Sequence, residues 1–175
     1  MEKEGSYYTE VAIIGGGISG TALLFMLSRY TDIGSVTLFE KYDKPATLNS
    51  SAKANSQTLH IGDIETNYDL EKAKKVSSSS SMVANFITHF NYEGSIGFRK
   101  AKMVLAVGEE EISQLKERHK TFQSLFPYLE LWEEKELEII EPLLTKGREE
   151  PIIALGVKDK ITTIDFQKLS ETFID

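Results

Sequence analysis

The residues best suited to do chemistry are three glycines and an acid. Gly15-x-Gly17-x-x-Gly20 lies between a short apolar run and an apolar helical stretch, and Glu40 follows Gly20 by twenty residues. Each suits the holding of a dinucleotide. Gly15 permits a tight turn, Gly17 lets main chain come close to a pyrophosphate, and Gly20 lets a helix pack against a strand. The free N–H groups and positive dipole end at the helix start would meet the phosphates. Glu40 is placed to accept hydrogen bonds from an adenosine ribose. The fingerprint alone does not separate NAD from FAD.

These residues need particular elements to position them. Val11-Ala12-Ile13-Ile14 reads as a strand buried on both faces of a parallel sheet. Ser19 to Tyr30 reads as a helix with Ala22, Leu23, Met26 and Leu27 on one face, and Val36 to Glu40 as the next strand, completing a βαβ unit. A long polar loop follows from Lys41 to Ile61. Asp69 is placed to cap a helix running toward Phe90 through Leu70, Ala73, Val76, Val83 and Phe86, although the serines at 77–81 weaken its propensity. Further on, Lys102–Val107 is an expected strand, Glu109–Phe126 a helix, and Glu134–Ile140 a short acidic helix stopped by Pro142. Ile152–Val157 and Ile161–Ile164 are expected strands around a Lys158-Asp159-Lys160 turn, and Asp165 caps a last amphipathic helix. That helix pattern has no stop signal before Asp175, so the chain reads as the N-terminal part of a longer protein.

Composition narrows the chemistry. No cysteine means no disulfide framework, no thiolate metal site and no thiol nucleophile, and points to a reducing, cytoplasmic compartment. The net charge is −7, of which −6 falls within residues 109–150. No basic patch serves nucleic acid. The longest uncharged span, Val11 to Ser28, is broken by the glycines, so it does not read as a membrane helix, and Glu2, Glu4 and Glu10 spoil a signal peptide. The acidic run from Glu130 to Glu141 has no metal-ligand spacing and reads as a solvated helix face, while Phe122, Phe126, Tyr128 and Trp132 read as core. His89 and His119 fall in expected helices as surface or packing residues, and Lys53 as a solvated lysine.

The segment after Glu40 runs Asn49-Ser50-Ser51-Ala52-Lys53-Ala54-Asn55-Ser56-Gln57-Thr58-Leu59-His60-Ile61-Gly62. It resembles the flavin-covering loop of the FAD-dependent oxidoreductases related to D-amino-acid oxidase and glycine oxidase, where a Ser/Asn-rich run ends in apolar-His-x-Gly. Within that superfamily the chain is most similar to the malate:quinone oxidoreductase family. The supporting segments are 50–58, Glu65-Thr66-Asn67-Tyr68, Glu71 to Val76, Met103 to Glu109, Ile140-Glu141-Pro142 and Asp165 to Phe173. Commoner members of the family carry Trp, Gly and Asn residues where this chain has Ala52 to Thr58, which leaves the substrate open.

The resemblance implies an α/β fold: a Rossmann-like FAD-binding βαβ core with the start of an inserted mixed α+β substrate domain. Its segments would be residues 1–76 for the core and flavin-covering loop, 77–164 for the start of the substrate region, and 165–175 for a helix returning to the FAD-binding fold. It implies FAD as cofactor, with Gly15, Gly17 and Gly20 at the pyrophosphate, Glu40 at the ribose, and Ser51, Asn55, Ser56 and Gln57 along the path to the flavin. The implied reaction oxidises (S)-malate to oxaloacetate and passes electrons to a quinone, with peripheral contact at the inner face of the cytoplasmic membrane. The 175 residues alone are expected to be inactive. A sister flavoprotein acting on another 2-hydroxy acid, glycerol 3-phosphate or an amino acid, and a non-catalytic nucleotide-binding fragment, are the alternatives. His60 is the candidate for removing the substrate's hydroxyl proton, because an ordinary imidazole titrates near pH 6.5.

Overall fold

The structure is a computed structural model that describes residues 8–175. Two compact units partition the chain, Met1–Thr58 with Ile164–Asp175, and Leu59–Thr163. The first division falls between Thr58 and Leu59, whereas residue 76 lies inside a helix.

In the first unit β1 (Val11–Ile14) leads into α1 (Ile18–Tyr30), and β2 (Val36–Phe39) returns parallel to β1 in the register Val11↔Val36 to Ile14↔Phe39. Glu40 sits one residue past β2. The expected apolar face of α1 is corrected. Thr21 and Phe25 are the buried residues, while Leu23 and Met26 are 47 % and 44 % exposed. Every residue from Ala22 to Leu27 is apolar, so periodicity could not choose a face. Phe25 turns toward α5 (Phe166–Thr172), where its ring lies 5.2 Å from that of Phe173. Asp165 caps α5 by accepting the Lys168 N–H at 3.0 Å.

The second unit holds α2 (Leu70–His89), β3 (Gly97–Arg99), β4 (Lys102–Val107), α3 (Gly108–Phe122), β5 (Glu130–Trp132), α4 (Glu134–Ile140), a 3-10 turn at Pro142–Leu144, and β6 (Ile152–Val157). Strand β7 (Ile161–Ile164) pairs with β3 and leads out of the unit. Asp69 caps α2, accepting the Lys72 N–H at 2.7 Å. The serine run does not break the helix. Ser79, Ser80 and Ser81 donate back to the carbonyls of Lys75, Ser77 and Ser77, one turn earlier. Helix α3 stops at Phe122, four residues short of expectation, and Leu125 and Phe126 follow in a turn.

The sheet order β4-β6-β5 makes β6 central, with antiparallel neighbours on both edges, and all six of its residues are buried. Alternation sends Ile153, Leu155 and Val157 to a core with Ile112, Leu115 and Phe122 of α3. Ile152 and Ala154 face Trp132 and Leu137. Strand β5 was not expected, and it corrects the helix reading of the acidic run at Glu130–Trp132 alone, since Glu134–Ile140 is the expected helix. Glu130 accepts from the Trp132 indole at 2.7 Å and from Lys158 at 2.8 Å, which leaves the fully buried Trp132 ring over Gly156.

Candidate functional site

The glycine turn is built by the first unit's strands. Gly15 takes φ +102°, a conformation open to glycine, and donates its N–H to Phe39 O at 2.8 Å, which extends the parallel ladder past β1. The next amide, Gly16 N–H, donates to Glu40 Oε2 at 2.6 Å, and Tyr42 N–H donates to Glu40 Oε1 at 3.0 Å. Glu40 therefore closes the turn from the neighbouring strand. The Tyr42 and Gly16 amides hold its carboxyl below the ordinary carboxylate range. Each oxygen keeps a second lone-pair direction for a sugar hydroxyl. At the helix start, Ile18 N–H donates to Ser50 Oγ at 3.0 Å, and Ala46 N–H donates to Gly16 O at 2.9 Å.

A cleft of about 300 Å³ opens here, lined by Ile14, Gly15, Gly17, Phe39, Glu40 and Ser50 among others. It lies at the carboxyl ends of β1 and β2, where parallel α/β sheets bind ligands. Its apolar walls and single acid suit a nucleoside, and the α1 start suits a diphosphate. A Cβ on Gly17 would meet only Ser50 Oγ within 4 Å, at 3.3 Å, so the main chain is bare toward the cleft.

Of the expected residues, Gly15, Gly17 and Glu40 line this cleft together. Gly20 does not line it but packs against the Gly15 carbonyl. The polar loop spends its groups on itself and on α5. Asn55 Nδ2 donates to Asn49 O and Ser51 O, and Gln57 Nε2 donates to Asn55 Oδ1 at 2.6 Å. Gln57 also receives Ile164 N–H on its carbonyl and Phe166 N–H on its side-chain oxygen. Ser56 is exposed. Gly16, Tyr42 and Ser50 were missed as site residues. Only the adjacency of Gly16 to the fingerprint glycines was a signal, since Ser50 reaches α1 from 32 residues away.

In the second unit His60 Nδ1 lies 3.0 Å from Glu65 Oε1. His119 bonds Leu129 O through Nε2, and His89 lies edge-on to Phe90. Among the described residues no group of three His, Asp or Glu side chains is placed to hold a metal ion, and no helix is long and apolar enough to cross a membrane.

The profile of the malate:quinone oxidoreductase family matches residues 7–175. The chain belongs to that family. It is 42 % identical over 174 residues to a probable malate:quinone oxidoreductase of Campylobacter jejuni, covering 95 % of this chain and 39 % of the relative. It is 39 % identical over 171 residues to a malate:quinone oxidoreductase of Helicobacter pylori, covering 95 % and 38 %. The chain thus spans under two-fifths of the length of these members of the family. Among solved structures, L-α-glycerophosphate oxidase from Mycoplasma pneumoniae with FAD bound superposes with a TM-score of 0.72 at 23 % identity, covering 95 % of this chain and 42 % of that one. Glycine oxidase from Geobacillus kaustophilus gives 0.71 at 20 %, covering 96 % and 44 %. These two likenesses establish the α/β fold with its parallel βαβ start.

Proposed function

We propose that this malate:quinone oxidoreductase family chain is the FAD-binding portion, with the start of an inserted α+β substrate region, of an enzyme oxidising (S)-malate to oxaloacetate with a quinone as electron acceptor. The observation that carries the reading is the cleft at the β1 and β2 ends, where Glu40 and the bare turn at Gly15 and Gly17 face one space. Family membership supports malate and quinone. The segments proposed are the FAD-binding core and loop of residues 1–76, the substrate region of 77–164 and the returning helix of 165–175. Residues 1–7 lie outside the described residues.

The residues fit FAD in kind. The α1 start and glycine turn would hold the pyrophosphate, and Glu40 the adenosine ribose, leaving Ser51, Asn55, Ser56 and Gln57 as the proposed lining toward the ring. Bound FAD supplies the hydride acceptor for carbon 2 of the hydroxy acid and the route for two electrons to the quinone. The chain's share is to orient that carbon and to take up the hydroxyl proton, for which His60 is the proposed base. A quinone acceptor places the enzyme against the inner face of the cytoplasmic membrane as a peripheral protein.

The test is flavin absorbance in the whole protein. Oxidised-flavin bands bleached by malate are expected. A colourless protein that reduces NAD would overturn the cofactor, and bleaching by glycerol 3-phosphate or an amino acid but not by malate would overturn the substrate. Glu40→Gln should weaken FAD binding about tenfold, because one charge-assisted acceptor is lost. Since Glu40 is ionised below the ordinary carboxylate range, its contribution is present at neutral pH and disappears only as pH falls through that lowered value. Titration of apoprotein with FAD across pH, for both proteins, reads this directly.

A further inference from the structure

We propose that Glu65 is a positioning residue for His60, with a buried charge cluster beneath it that holds the carboxylate in place. This rests on the reading of His60 as the base for the oxidation above.

The local chain makes the pair. Between them Gly62 turns at φ +93° against α2, where an added Cβ would lie 2.9 Å from Ala73 O. The turn brings two side chains five positions apart to 3.0 Å, Nδ1 to Oε1. The His60 side chain is 61 % exposed and that of Glu65 only 13 %. An ionised carboxylate accepts only, so in the neutral ring the proton stands on Nδ1 and Nε2 is left with its lone pair. That is the form a general base needs. When the ring takes a second proton, its charge forms beside the Glu65 carboxylate, which stabilises it.

The surroundings hold Glu65 where it is. Fully buried Asp63 accepts Lys102 Nζ at 2.6 Å on Oδ1 and the Tyr128 hydroxyl at 3.1 Å on Oδ2, and Lys102 Nζ also lies 4.0 Å from Glu65 Oε1. Arg118 donates to the carbonyls of Glu65 and Tyr68 and stacks over the Phe122 ring at 3.8 Å, pinning the 65–68 segment. The charged and titratable groups around the pair are Asp63, Lys102, Arg118 and Tyr128 on the Glu65 side, and Lys72 and Lys75 of α2, which line one cleft with His60. Tyr128 stays a neutral phenol because burial and the Asp63 and Glu65 carboxylates push its titration up.

One detail separates this from an ordinary ion pair. Glu65 Oε2 is buried with no hydrogen-bond donor among the described residues. A buried, half-satisfied carboxylate is costly, and a residue serving only the fold gains nothing from it. Its one hydrogen bond goes to His60.

The experiment uses the whole protein with FAD, labelled with ¹⁵N-histidine, as wild type, Glu65→Gln, Glu65→Asp and His60→Ala. Glu65→Gln offers an amide N–H to Nδ1 and should move the neutral ring to the Nε2–H tautomer, read in its ¹⁵N shifts. Malate-driven flavin reduction should fall on the order of 10²–10⁴-fold while KM and flavin content stay within about twofold. Glu65→Asp should recover part of the rate, and adding His60→Ala to Glu65→Gln should lose little more. An unchanged tautomer, or a rate within twofold in Glu65→Gln while His60→Ala loses a hundredfold, would sink the positioning role and leave the function intact. A fully active His60→Ala overturns the proposal together with the base. Absence of bleaching by malate in the wild type would instead count against the function, and the tautomer shift would still decide the Glu65–His60 link.

Discussion

Lys102→Ala should destabilise the Leu59–Thr163 unit by about 3–5 kcal/mol, the usual consequence of removing one partner of a buried ion pair. Asp63 is fully buried and the Lys102 side chain is 12 % exposed, so solvent screens little of their 2.6 Å contact. Without the ammonium, Asp63 keeps only the Tyr128 hydroxyl and the Ile64 N–H, two neutral donors for a full charge. The double variant Asp63→Asn with Lys102→Met removes both charges and should lose much less. Urea midpoints of the two proteins check this, and equal losses would mean that the site tolerates a bare carboxylate. Tyr128 adds a pH signature. Its folded-state titration lies above the ordinary tyrosine value, so the stability it contributes is whole below about pH 10 and is lost as pH rises toward the raised value.

Local chemistry explains what could be read before folding. Val11 to Ile14, the glycines and Glu40 announce themselves because a short β-branched apolar run marks a strand and a phosphate turn tolerates few residues. The expected burial of that strand on both faces is corrected, since Ile13 is buried while Ala12 and Ile14 are exposed. Asp69 and Asp165 were legible as caps for the same reason, since each satisfies an amide three residues on. Strands β3 and β5 were not legible. With three residues each they show no period, and Glu130 to Trp132 hides inside an acidic run until Gly156 offers Trp132 a flat seat. The site splits along the same line. Gly15, Gly17 and Glu40 carried their own signal, whereas Ser50 at the α1 start and Lys102 beside Asp63 are joined over 32 and 39 positions by tertiary structure alone. The loop amides carry a second engagement that the sequence does not show. Asn55 and Gln57, which the resemblance puts along the flavin path, also bond within the loop and at the start of α5.

The sharpest separation between scaffold and ligand contact is expected at two of the fingerprint glycines. Gly20→Ala should abolish measurable FAD binding and destabilise the first unit by about 1–3 kcal/mol, the range for forced overpacking. A Cβ at residue 20 would stand 2.0 Å from the Gly15 carbonyl oxygen and 3.4 Å from Ile13 Cγ2. The obstructing atom is main chain, and it belongs to the residue whose positive φ sets the turn, so α1 can yield only by moving away from β1. That displacement shifts the Gly16 amide off Glu40, now 2.6 Å apart, and opens the cleft where the diphosphate and ribose would sit. Gly17→Ala is the counterpart. Its Cβ would meet only Ser50 Oγ at 3.3 Å, and φ −75° suits any residue, so melting should barely change. Binding should still fall steeply, because the methyl would occupy the line of approach to the pyrophosphate. Thermal melts paired with FAD fluorescence titrations distinguish the two variants. If Gly20→Ala kept FAD affinity within twofold, the close packing of α1 on β1 would not be what shapes the turn, and the glycine would owe its place to something other than the nucleotide.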